Sequence, residues 1–104
     1  MPTFLQQYQV QVTWTPAGPG ARWGTITAEI LGGPESAAEL HCGDTRWGFG
    51  DGHGRTIMRD CPSWEPQYKT PRLFTEWHTY AEAGDYTIRF SYGLLEGSTT
   101  IQIP

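Results

Sequence analysis

Apolar residues in this chain recur at every second position, in short runs broken by glycine and proline. That period constrains the fold more than any other feature. Tyr8, Val10, Val12 and Trp14 share one parity, with Gln9, Gln11 and Thr13 on the other. Ile26, Ala28 and Ile30 alternate with Thr25, Thr27 and Glu29. Tyr86, Ile88, Phe90 and Tyr92 alternate with Thr87, Arg89 and Ser91, and Ile101 and Ile103 close the series. Side chains of a strand point alternately to opposite faces, so each run is a half-buried strand with one face on a core. Only residues 36–40 have a helical composition, and that stretch is too short and lacks a cap at its far end.

The punctuation fits the same picture. Residues 16–20 and Gly32-Gly33-Pro34 stop the first two runs. Residues 39–49 read as the next strand region, broken near Gly43-Asp44, and residues 55–59 as a short strand. Residues 60–72 carry Pro62, Pro66 and Pro71 and cannot form a central strand. Residues 73–80 are a strand, residues 93–97 a hairpin loop and residues 98–103 the last strand. Short strands, turn signals and no convincing helix predict an all-β sandwich. With 104 residues the chain makes one domain, spanning 1–104, with an insertion at 59–72.

Two motifs refine this. Trp47-Gly48-Phe49-Gly50-Asp51-Gly52 alternates aromatics with glycine and ends in a turn pair. His78-Thr79-Tyr80 and Gly84-Asp85-Tyr86-Thr87-Ile88 follow it. Together they resemble the PKD (polycystic kidney disease) domain, whose signature is Trp-Asp-Phe-Gly-Asp-Gly followed by His-x-Tyr-x-x-x-Gly-x-Tyr-x-Val. Gly48 stands where that pattern has Asp, and Ile88 where it has Val. The resemblance implies a single immunoglobulin-like sandwich of about seven antiparallel strands. Trp47 and Phe49 are then expected between the sheets, with Val10, Val12, Ile26, Ile30, Tyr86, Ile88, Phe90 and Ile101. Gly48 and Gly50 would allow a bend or a close backbone approach, and Asp51-Gly52 a turn. Tyr86, two residues after Gly84, is placed like a tyrosine corner, its hydroxyl bonding back to the upstream turn.

Little in the sequence points to catalysis. The three histidines, His41, His53 and His78, form no His-x-x-x-His pair, and no Cys-x-x-Cys occurs, so the zinc signal is absent. His78 reads as a structural histidine at a strand end and His53 as solvated. Asp44, Asp51 and Asp60 could gather at one end of a sandwich, and some PKD domains of secreted enzymes bind calcium. Their spacing matches no defined calcium loop, and no cofactor is expected. A net charge of −4, with Lys69 the one lysine, argues against nucleic acid and anionic membrane surfaces. No apolar run is long enough to span a membrane. Cys42 and Cys61 permit one disulfide or stand as two separate thiols. Resemblance to a mostly extracellular family favours the bridge.

The resemblance implies a non-catalytic binding or spacer module of a larger secreted or cell-surface protein, making protein or carbohydrate contacts. It is expected to be monomeric as an isolated domain. No export signal is visible at the amino terminus. The end of the chain on a strand fits an excised module better than a free-standing protein. The alternatives are a stand-alone assembly protein joined through sheet edges and a calcium-binding accessory domain of a secreted hydrolase. The insertion carries Trp64 and Tyr68 among its prolines. They are expected to be at least partly exposed and to form the best contact patch, as ligand anchors on a stiffened loop; the alternative is a satellite core over the sandwich edge. Trp77 has the opposite parity to His78 and Tyr80 and is a further contact candidate. The sandwich faces, with Thr25, Thr27, Thr87 and Ser91, offer little anchoring area.

Overall fold

The computed structural model describes residues 7–104. Among these residues are seven strands: β1 Tyr8–Pro16, β2 Trp23–Gly32, β3 Thr45–Gly48, β4 Gly54–Ile57, β5 Leu73–Thr79, β6 Gly84–Tyr92 and β7 Leu95–Ile103. They form two antiparallel sheets, one in the order β1-β2-β5 and the other β4-β3-β6-β7. The chain therefore crosses between sheets after β2, after β4 and after β5. Pairing of the first, second and fifth strands against the third, sixth and seventh is the immunoglobulin-type division. β4 lies beside β3 rather than beside β5.

The two sheets enclose one core. Ile26, Ala28 and Ile30 of β2 face Trp47, Ile88, Phe90 and Tyr92 of the other sheet, and all are buried. Phe74 of β5 joins them, its ring 5.0 Å from Phe90 and 5.1 Å from Tyr92. The expected core residues Val10, Tyr86 and Ile101 are only half-buried and pack against its margin. Tyr86 is drawn outward because its hydroxyl donates to the Glu82 carbonyl at 2.8 Å, the tyrosine-corner bond. Tyr8, Tyr92 and Ile103, on the inward parity of their strands, are buried, and Leu40, Tyr80 and Leu95 join the core as well. The buried tyrosines are satisfied. Tyr80 donates to the Phe49 carbonyl and Tyr92 to the Leu40 carbonyl, which removes the penalty of burying a hydroxyl.

Two connections differ from expectation. The strand predicted over residues 39–49 shrinks to Thr45–Gly48, because Ala38–Leu40 forms a 3-10 turn that inserts Leu40 into the core. Cys42 then takes a positive φ of 59° and redirects the chain. The loop predicted over residues 93–97 is a two-residue turn at Gly93-Leu94, and Leu95 is already a buried strand residue. Gly50 has a φ of 88°, and a Cβ there would lie 2.6 Å from the Thr87 carbonyl oxygen. Only glycine fits, and this contact sets the position of Asp51. Gly48 differs from expectation: a Cβ would meet nothing nearer than the Arg89 Cβ at 3.9 Å.

Candidate functional site

The outer face of the β1-β2-β5 sheet carries the largest exposed rings of the described residues. Trp23 opens β2, and Trp77 lies on β5 opposite Thr25. Their rings stack at 5.6 Å with an 18° interplanar angle. Even so, Trp23 is 46% and Trp77 63% exposed. Local structure fixes the pair. Tyr80 donates its amide to the Arg22 carbonyl at 2.7 Å, and the Arg22 guanidinium donates to the carbonyls of Ala81 and Pro104. The next residue, Gly24, is pressed against β1: a Cβ there would lie 2.2 Å from the Thr15 carbonyl oxygen. The strand end cannot rotate without breaking this packing, so the indoles are held outward. Thr25, Thr27, Thr75 and Thr79 share their parity and supply hydroxyls around the rings. An indole left in water forgoes the burial that stabilises a folded chain, so two adjacent ones form a surface ready for a ligand.

This corrects the expectation that the sandwich faces offer little anchoring area. Trp77 had been singled out, but Trp23 had not. The signal was its parity: counting back from Thr25, Thr27 and Glu29 puts Trp23 on the outward set.

The insertion is braced rather than free. The Cys42–Cys61 disulfide ties it to the β2–β3 connection. His41 bonds through Nε2 to the Pro62 carbonyl at 2.6 Å, and its ring stacks 5.8 Å from that of Tyr68. Thr70 donates its amide to the Glu35 carbonyl at 2.8 Å. Arg72 closes the segment by donating to the carbonyls of Ile30, Gly32, Gly33 and Pro34. Trp64 and Tyr68 are consequently half-buried, and Trp64 turns its Nε1 inward, where it is enclosed by protein. Neither ring stands out as the Trp23–Trp77 pair does.

The two sequence motifs meet at one end of the sandwich. Asp51 accepts the His53 amide at 3.1 Å through Oδ1 and pairs with His78 Nε2 at 2.6 Å through Oδ2. Both side chains are largely shielded, at 14% and 13% exposed. His78 stacks on Phe49 at 4.0 Å and meets the Tyr80 ring edge-on at 4.6 Å. Tyr80 stacks on Tyr86 at 4.3 Å. Burial, helped by the charges of Asp51 and Tyr86, pushes the Tyr80 hydroxyl up to about 12, so it stays a donor. No serine, threonine or cysteine among the described residues bonds to His78. The Asp51–His78 pair thus braces the β3–β4 turn against β5. Among the described residues no three His, Cys, Asp or Glu side chains converge, and Asp44, Asp51 and Asp60 do not form a cation site.

The brace has a pH signature. Burial raises the Asp51 carboxyl, but the hydrogen bonds from His78 and His53 and the attraction of His78 outweigh it, leaving it below its ordinary 3.8. A carboxyl lowered by folding binds fewer protons in the folded state. Its contribution is complete above the ordinary carboxylate range and is lost as pH falls through the lowered value. Asp51→Asn should therefore destabilise by about 1.5–3 kcal/mol at neutral pH, the range for a charge-assisted hydrogen bond. It should also flatten the acid side of the stability curve. Urea unfolding of both proteins between neutral and strongly acidic pH checks this; parallel curves at all pH values count against the brace.

No family model, curated protein or solved structure matches the chain.

Proposed function

We propose that this chain is a non-catalytic binding module of PKD-like type, working outside the cell as part of a secreted or cell-surface protein, and that it holds carbohydrate through Trp23 and Trp77. The observation that carries this reading is the exposed, stacked indole pair on a rigid sheet face. The face of a sugar ring is apolar while its rim is a ring of hydroxyls. An indole matches the first and the surrounding threonines the second. Rigid aromatic anchors also lose little side-chain entropy on binding. The disulfide supports an oxidising compartment. No helix among the described residues is long and apolar enough to cross a membrane.

The test is depletion of the protein from solution by insoluble cellulose and chitin, with tryptophan fluorescence quenching by soluble β-glucan. Trp23→Ala/Trp77→Ala should abolish both signals, while its melting transition stays within the small range of exposed substitutions, about 0.5 kcal/mol. Trp64→Ala/Tyr68→Ala should retain binding. Loss of binding in the insertion variant alone would move the contact site to the insertion. If the wild-type protein ignores all three glycans and self-associates through the indoles, the assembly reading replaces this one.

A further inference from the structure

The opposite face of the sandwich has a different chemistry. Arg46 of β3 pairs with Ser91 of β6, and Gly48 pairs with Arg89. Arg46 and Arg89 are thus diagonal neighbours on the outer face, about 7–8 Å apart by the geometry of such pairs. Gly48 lies beside them without a side chain, and a Cβ there would touch only the Arg89 Cβ, at 3.9 Å. The result is an open groove of about 700 Å³. Thr56, Ser91 and Ser98 line it with hydroxyls and Glu96 supplies one carboxylate. The two large apolar neighbours, Trp47 and Phe90, turn their rings into the core and leave only backbone here.

The arginines are unusual for this chain. It has eleven acidic side chains for seven Lys and Arg. Arg22, Arg55, Lys69 and Arg72 have partners, and the side chain of Arg59, exposed at the start of the insertion, has none among the described residues. Among the described residues the guanidinia of Arg46 and Arg89 have no hydrogen bond and no ion pair. At this diagonal spacing the two guanidinia repel each other, and one carboxylate against two guanidinia leaves the groove positive. A guanidinium presents a planar fork of donors that matches anionic oxygens.

We propose that this groove is a second binding site, for an acidic polysaccharide, in which Arg46 and Arg89 receive a uronate carboxylate or a sulfate ester. The mixture of hydroxyls, one acceptor carboxylate and exposed backbone suits a hydroxyl-rich polymer. An acidic peptide is the competing occupant, and polyglutamate tests it. The site is independent of the indole pair, and the two lie on opposite outer faces.

Calorimetric titration of the chain with polygalacturonate, dextran sulfate, neutral dextran and polyglutamate tests it. At least one acidic glycan should bind more tightly than neutral dextran, and added salt should weaken it. Which of the two binds distinguishes carboxylate from sulfate. Arg46→Ala/Arg89→Ala should weaken that binding at least roughly tenfold, the scale of one lost charge-assisted contact. Its melting temperature should hold or rise, since a repulsion has been removed. Trp23→Ala/Trp77→Ala should keep the acidic-glycan affinity, which separates this site from the platform. Equal affinity for neutral dextran, full affinity in the double arginine variant, or equally tight polyglutamate would each overturn the proposal.

Discussion

Trp47→Ala should cost about 3–5 kcal/mol of stability, the usual price of truncating a buried ring. Trp47 is 4% exposed and its ring lies 4.6 Å from that of Phe90. Phe90 in turn meets Phe74 of the other sheet at 5.0 Å. The indole therefore belongs to a chain of rings that joins the two sheets, and its removal leaves a void between layers that strand backbones cannot collapse to fill. Domains of this size have only about 5–15 kcal/mol in total. The urea midpoint should fall steeply while the slope of the transition stays unchanged. Trp77→Ala is the control: with its ring 63% exposed, it should shift stability by no more than about 0.5 kcal/mol. A Trp47→Ala loss below about 1 kcal/mol would show that the ring chain does not couple the sheets.

That contrast also marks what could be read from the sequence. Ile26, Ala28, Ile30, Ile88 and Phe90 were assigned to the core by parity, and they are there, because the period of a strand fixes its faces whatever it pairs with. The tyrosine-corner bond of Tyr86 was legible too, because it spans four residues. Strand ends were harder. Residues 39–44 have a strand-like neighbourhood, yet Leu40 enters the core from a 3-10 turn, where its carbonyl accepts the Tyr92 hydroxyl from fifty-two residues away. The indole platform was half legible. Parity places Trp23 and Trp77 outward separately, but their stacking depends on the β2–β5 register, a contact across more than fifty residues. The Arg46–Arg89 neighbourhood depends in the same way on the β3–β6 register. Long-range register is set by the fit of all the strands together and leaves no local mark.

Reduction of the Cys42–Cys61 bridge should produce the other large loss. The two cysteines are 19 residues apart, and closing a loop of that size in the unfolded chain is worth about 3 kcal/mol on the loop-entropy estimate. For a domain near this length that corresponds to a fall in Tm of roughly 12–24 °C. The effect should not be confined to the insertion. Cys42 lies between Leu40, which fills the core, and β3, whose Trp47 joins the sheets, so releasing the bridge loosens the approach to both. The remaining ties of the insertion are bonds such as His41 to the Pro62 carbonyl and Thr70 to the Glu35 carbonyl. These are individually worth about 0.5–1.5 kcal/mol, so the bridge is the largest single tie of the insertion. Thermal melts with and without reductant measure the loss, and hydrogen exchange should show residues 58–72 deprotecting before the sheets. Thiol titration of the unfolded, unreduced protein should find no reactive cysteine. Two reactive thiols there, or a melt that reductant leaves unchanged, would refute the bridge as the main fastening of the insertion and remove its support for an extracellular setting.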